Sequence, residues 1–419
     1  MRAPVITGAG LATPAGSSLA ETWQAIASGR SAIGPPRRTD PYRAVCPSAA
    51  EVRPFALAGQ LRVAKHEKYA GPAVACALRA AAEAMAQAGA GAPVTDPERL
   101  GIYTATGQTG LDVEEFFPAL TAAWSEDPTL DFRGLGGRAA RLVDPHFSLR
   151  TLANGAAALL AIELDAHGPS LNVVQGETAG ALALEAASDD LADGRCDVAL
   201  VCACDSLLTP STLAAYARAG LLSTLAPDRA GRPFTAGRDG LVPGEGAGAV
   251  VLERAQDKAG RGASPLGVLA GVGVVSSLES VAEVDIAACD RAVGLAAARA
   301  VEPPALVVAR GIATAPDDAA EAAWLGRRFG PSVPVTAFKG LTGYLGAATA
   351  VVEVVLALAA LRAGVGPAVA ARLDPALDGA PGLVAGRPAS IAGRGSEAVC
   401  LSWSWTGQAA AVAVRAATP

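Results

Sequence analysis

The strongest constraint on this chain is an alternation of short Val-, Ile- and Leu-rich strands with alanine-rich helices, and it runs twice. The first round opens with Val5-Ile6-Thr7-Gly8-Ala9-Gly10. The second opens with the segment 266–274, Leu-Gly-Val-Leu-Ala-Gly-Val-Gly-Val, and both are strands broken by glycine. An alanine-rich helix follows in each, over 69–88 and 287–300, and then another strand. This predicts an α/β chain of two related halves, 1–255 and 256–419, joined at a seam over 256–264 rich in Gly, Ala and charge. A duplication without a period of roughly 20 to 50 residues excludes solenoids and propellers. The longest weakly patterned stretch, 30–62, carries several prolines and reads as a surface excursion of the first half.

Composition narrows the classes further. With 51% hydrophobic and only 18% charged residues, the chain is far from disordered and expects to bury surface in an oligomer. Its net charge is −6, with no long basic block, so nucleic acid is not an expected partner. The most apolar helical stretch, 347–361, is interrupted by Glu353 and falls short of the roughly 20 residues of a membrane span, which predicts a buried helix and no membrane. Residues 1–10 run directly into a strand without a charged stretch and apolar core, so the expected location is the cytoplasm. The seven cysteines are odd in number and lack a C-x-x-C pair, which argues against disulfides and zinc; Cys202 and Cys204 read as packing residues of a buried strand. His66 lies in a charged run and is expected to be solvated, while His146 and His167 read as structural.

The place to look for chemistry is a strand over 170–174, a tight turn Gln175-Gly176-Glu177-Thr178, and a helix over 179–191. A strand-turn-helix elbow lifts a nucleophile onto a helix N-terminus. Here its tip is Glu177, a poor nucleophile toward a thioester. Two roles fit it: a carboxylate that interacts favourably with the helix dipole, or a functional group of another kind.

At this elbow the chain resembles the β-ketoacyl synthases of the thiolase superfamily over nearly its whole length. The resemblance is carried by the opening Val5 to Gly16, by Gly168-Pro169-Ser170-Leu171-Asn172-Val173, and above all by Arg232-Pro233-Phe234-Thr235-Ala236-Gly237-Arg238-Asp239-Gly240, continued by Leu241-Val242-Pro243-Gly244-Glu245-Gly246-Ala247-Gly248. It implies a thiolase-like fold, two duplicated α/β halves in a layered α-β-α-β-α arrangement. It also implies a cysteine nucleophile and two histidines, and at those positions this chain carries Glu177, Arg310 and Tyr344, with Lys339 retained. No catalytic set is therefore expected, nor a cofactor or metal.

A ketosynthase-like chain without its triad resembles the chain-length factors, or ketosynthase β subunits, of bacterial type II polyketide synthases. The segment Lys339 to Gly346, one residue shorter than the active loop, is similar to that branch, as is the helix after it. The resemblance implies a heterodimer with an active β-ketoacyl synthase, an acyl carrier protein bearing a phosphopantetheine-linked chain, and a tunnel shaped by the helix after the strand 101–106. Its candidate wall residues are Leu111, Asp112, Val113 and Phe116. Bulk there would set the stop, because a methylene is worth only about 0.8 kcal/mol whereas overpacking costs about 1 to 3 kcal/mol. Trp403, Ser404 and Trp405 stand where active enzymes have a flexible gating loop, and they suggest a plugged pocket or ordinary aromatic packing. Three readings remain: a non-catalytic chain-length factor, an independent decarboxylase or acyl-transfer enzyme using Glu177, Lys339 and Tyr344, and a stabilising scaffold without influence on product.

Overall fold

The structure, a computed structural model, describes residues 3–57, 59, 61–89, 96–107, 113–124, 131–137, 139–254, 264–277, 285–297, 303–377 and 382–417. In chain order the first part holds β1 (Val5–Ala12), α1 (Leu19–Ala27), α2 (Pro72–Gln87), β2 (Leu100–Thr106), α3 (Val113–Ala123), α4 (Phe132–Gly136), α5 (Phe147–Thr151) and α6 (Gly155–Leu164). It continues with β3 (Ser170–Val174), α7 (Ala179–Ala192), β4 (Val198–Ser206), α8 (Pro210–Arg218) and β5 (Glu245–Glu253). The second part holds β6 (Gly267–Ser276), α9 (Ile286–Ala296), β7 (Leu306–Val308), α10 (Ala315–Phe329), β8 (Val335–Thr336), α11 (Lys339–Thr342) and α12 (Thr349–Ala363). A two-residue pair, β9 (Val365–Gly366) and β10 (Ala389–Ser390), precedes β11 (Glu397–Ser404) and β12 (Gln408–Ala416).

The main sheet has ten strands in the order β3-β2-β4-β5-β1-β6-β12-β11-β7-β8. Read outward from the β1/β6 join, both sides repeat one rule. Two antiparallel pairings come first (β1/β5/β4 and β6/β12/β11), then two parallel ones (β4/β2/β3 and β11/β7/β8). The join itself is short, Val5 opposite Val268 and Ile6 opposite Gly267. Helices α7 and α12 share one core with strands of both sides, α2 and α6 cover the first side, and α9 and α10 cover the second. This is the expected duplicated α-β-α-β-α layering.

The glycines that break both opening strands have a steric reason. A Cβ on Gly8 or Gly10 would lie 2.0 or 2.1 Å from a carbonyl oxygen of α2, and one on Gly271 or Gly273 would lie 2.2 or 2.1 Å from a carbonyl of α9. Each helix therefore sits directly on its strand, and the small residues of the two helices follow from the same close approach.

Several expectations need correction. The helix expected from Tyr69 begins at Pro72, because Gly71 is the cap and Pro at the first helical position is preorganised for it. The stretch expected over 347–361 continues to Ala363, ends on left-handed Gly364, and with the turn before it is long and apolar enough by length and composition to cross a membrane. Here it is core, and even Glu353 on it is buried. The presumed surface excursion 30–62 is not all surface: Ser48 to Val52 are buried, Ala50 pairs with Gly244, and Glu51 accepts hydrogen bonds from the backbone N–H of Arg37, Arg38 and Thr39. His66 is not solvated, since its ring meets Glu163 at 2.6 Å with 12% of its side chain exposed. All seven cysteines are free and buried. The seam residues 256–263 and the end of the helix expected over 287–300 lie outside the described residues.

Candidate functional site

The elbow forms as its residues predict: β3 ends at Val174, the turn crosses Gly176, and α7 begins at Ala179. Gly176 faces the opposite half, where a Cβ would fall 2.8 Å from Ser404 Oγ and would turn that hydroxyl aside. Glu177 is completely buried at the helix N-terminus, where the dipole favours its charge. Its charge is matched twice over. Arg310 Nε donates to Oε2 at 2.8 Å, and Lys339 Nζ stands 2.9 Å from Oε1 as an ion pair, close in distance but not aligned as a hydrogen bond.

The two cations are held by the backbone of the second half. Arg310 follows β7 on a turn whose Gly311 and Ala313 have positive φ. Four consecutive N–H groups of that turn donate to carboxylates of α10, Arg310 and Gly311 to Glu321 at 2.7 and 2.9 Å, Ile312 and Ala313 to Asp318 at 3.1 Å each. Lys339, first residue of α11, also donates to Arg310 O at 2.7 Å and to Glu353 Oε1 at 2.8 Å. Burial raises the acids of this network, Glu321 and Glu353 to about 8 and Asp318 to about 6. Burial opposes the charge of Arg310 and Lys339 and is the largest single influence on each, but the groups around them together outweigh it, Glu177, Tyr344 and Asp317 for Arg310 and Glu177 with Glu353 for Lys339, and both stay above their ordinary range. Burial and the neighbouring Glu177 likewise push the Tyr344 hydroxyl well up.

Aromatic rings close the site. The Arg310 guanidinium lies 4.7 Å from the Trp405 ring centre and 5.3 Å from that of Trp403. Tyr344 and Tyr216 pack against Trp405 at 5.9 and 6.1 Å, and Trp324 meets Trp403 edge-on at 6.3 Å. Ser404, between the two tryptophans, bonds Thr406 at 2.7 Å in the β11–β12 turn. Glu177, Arg310, Lys339, Tyr344, Trp403 and Trp405 therefore converge on one spot. The carboxylate has cations against both oxygens and no exposure, an arrangement suited to holding structure rather than to attacking a thioester.

The tunnel candidates fare differently. Leu111 and Asp112 lie outside the described residues, and of Val113 only the backbone, as the first residue of α3, is described. Phe116 is half-buried, its ring stacked on Phe147 at 5.9 Å. Its neighbour Glu115, together with Arg150, lines a cavity of about 400 Å³ over the ends of β2 and β4. The sequence reading missed Glu321, Asp318 and Tyr216 as members of the closed site. For Glu353 a signal was present, a lone acid inside an otherwise apolar helix, which in a core must have a partner. Among the described residues, no three His, Cys, Asp or Glu side chains converge as a metal-binding group.

Sheet, helices and elbow together define a thiolase-like ketosynthase fold. The chain belongs to the β-ketoacyl synthase family, whose N-terminal domain matches residues 1–258 and whose C-terminal domain matches residues 266–371. Nodulation protein E of Rhizobium leguminosarum is 31% identical over 384 residues, 89% of this chain and 90% of the relative. The 3-oxoacyl-(acyl-carrier-protein) synthase 2 of Coxiella burnetii is 27% identical over 380 residues, 87% of each chain. Among solved structures, the ishigamide ketosynthase/chain length factor superposes with a TM-score of 0.86 at 23% identity, covering 100% of both chains. A type II polyketide synthase acyl carrier protein in complex with its ketosynthase, bound to the hexaketide, gives 0.83 at 22%, again over 100% of both chains. At these identities the two structures share the fold.

Proposed function

We propose that the chain is a non-catalytic chain-length factor. It pairs in the cytoplasm with an active β-ketoacyl synthase that works on an acyl carrier protein, and it shapes the space available to the growing polyketide. The observation that carries this reading is the sealed elbow, where Glu177 replaces the nucleophile expected from the family resemblance and is locked between Arg310 and Lys339. The same lock speaks against the independent decarboxylase, which needs a carboxylate or lysine free to meet substrate.

A partner is supported by the strand that leads into the elbow. β3 is an edge strand, paired on one side only with β2, and its Leu171 and Val174 are exposed. Among the described residues eleven large apolar side chains are exposed, and nine of them fall between Phe117 and Val174. An open strand edge that itself exposes apolar side chains is a template for another strand. The occupant that fits is the same edge of a second ketosynthase-fold chain, since a two-fold axis brings the same patch of two like chains together.

Co-expression with the ketosynthase encoded nearest to this chain tests the reading. A one-to-one complex is expected, broken by Leu171→Glu, with product length shifting when Phe116→Ala removes the ring stacked on Phe147. Absence of a complex, unchanged products, or decarboxylation of malonyl carrier protein by the isolated chain would each overturn it.

A further inference from the structure

The geometry points to a small phosphate ligand carrying two or more negative charges, held in a second cleft whose charged walls are Arg30, Arg37, Arg53 and Glu51. The cleft lies between the β1–α1 turn, at Pro14 and Ala15, and the segments around Arg30 to Arg37 and Ala49 to Arg53. Its lining shares no residue with the sealed elbow or with the exposed apolar face, so the inference stands apart from the chain-length reading. At about 260 Å³ it falls a little under the roughly 300 Å³ at which drug-sized sites begin, and a pyrophosphate group is of a size to enter it.

The charges do not cancel. Glu51 is the only acid in the lining, and its carboxylate is already spent. Oε1 accepts from the N–H groups of Arg37, Arg38 and Thr39, and Oε2 accepts from Arg37 Nε at 3.2 Å. Burial would raise this carboxyl, but those bonds outweigh it and hold it below its ordinary value, so it stays ionised. Arg37 answers Glu51, which leaves the charges of Arg30 and Arg53. Both are exposed, and among the described residues neither has an ion pair. Glu21 feels the charge of Arg53 from outside the lining, but its Oε2 accepts from the N–H and the hydroxyl of Ser17 at 2.9 Å each. The end of α1 does not supply the missing negative charge either, because Ser28, Gly29 and Arg30 close its last carbonyls with their N–H groups. Two unanswered guanidiniums in one cleft, on a chain of net charge −6, form a local field that favours an anion. A single carboxylate would leave one of them unmatched, whereas a diphosphate offers oxygens to each planar fork.

The cleft is also tied to the second half. Ala32 N–H donates to Leu341 O at 2.8 Å, and Ser31 Oγ donates to Gly340 O at 3.0 Å. Both acceptors belong to α11, whose first residue is the Lys339 that pairs with Glu177. A ligand bridging Arg30 and Arg53 therefore braces the strap that holds α11, and binding to the folded chain alone stabilises it.

Titration calorimetry on the full chain at about 0.15 M salt tests this, with inorganic pyrophosphate and ADP as probes and acetate as the singly charged control. Pyrophosphate is expected to bind one to one with a Kd below about 1 mM, to bind more tightly as salt is lowered, and to raise the melting temperature. Arg30→Gln with Arg53→Gln should weaken it about tenfold or more, and Arg30→Lys with Arg53→Lys, which keeps charge but loses the fork, should weaken it less. Arg387→Gln, at an exposed arginine outside the cleft, should change nothing. Urea unfolding of the ligand-free variants should match the native chain, which separates lost binding from lost fold. Whichever of pyrophosphate and ADP binds more tightly names the source of the phosphate, inorganic or nucleotide. No saturable binding of pyrophosphate, equal binding of acetate, or an affinity indifferent to the double glutamine variant would overturn the inference.

Discussion

The elbow and the face from α3 to β3 handle surface in opposite ways. At the elbow, charges that replaced a reactive set are buried and paired within the chain, Glu177 with Arg310 and Lys339, while Nη1 and Nη2 of Arg310 are buried without a hydrogen-bond partner. Along the other face, Phe117, Trp124, Phe132, Leu149 and Leu152 are large, apolar and exposed. A buried charge has to find its counter-charge inside the molecule, while exposed apolar surface can wait for another one. The difference teaches where the chain acts: inward, its charges pair with one another; outward, large apolar side chains are left exposed.

The sharpest way to break this contrast is to unbalance the elbow. Glu177→Gln leaves two buried cations facing a neutral amide and should destabilise the chain by about 3–5 kcal/mol in urea unfolding. A loss under about 1 kcal/mol would mean that the cluster is wet and unlocked.

Proton linkage gives a smaller effect in a defined direction. Glu321 and Glu353 are raised by burial from 4.5 to about 8, and Asp318 from 3.8 to about 6. The folded state thus holds protons that the unfolded chain releases at lower pH. Their stabilising share is complete below the unfolded values and fades as pH rises through the folded ones. The melting temperature should fall from about pH 4.5 to about pH 8, and Glu321→Gln should flatten the decline. A flat or rising profile in the native chain would contradict the buried, proton-holding network.

On the outward face the expected effect on the chain itself is smallest. Phe132→Ser should change stability by no more than about 0.5 kcal/mol while raising solubility, since Phe132 is 76% exposed. A large loss of stability would show that this face is supported from within the chain, and the contrast would dissolve.

Much of this was legible beforehand for physical reasons. Glycines at alternate positions in β1 and β6 marked strands pressed by helices, and the strand, turn and helix around Glu177 were readable because local pattern controls them. The solvation of His66 was misread, since its partner Glu163 is 97 positions away and no local signal announces it. For the same reason Glu321, whose carboxylate orders the Arg310 turn, went unnoticed in a helix that looks like an ordinary amphipathic one.

The sequence by itself determined the duplicated α/β fold, the elbow, and the identities that stand at it, because strand and helix periodicity and turn chemistry act over a few neighbouring residues. Only the tertiary structure decided that Glu177, Arg310 and Lys339 neutralise one another. They lie up to 162 positions apart, 339 less 177, and are brought within 3 Å only when the two halves close on α7 and α12. Whether a buried carboxylate is a reactive group or a structural one depends on what faces it across that closure, and distance in the sequence carries no record of it.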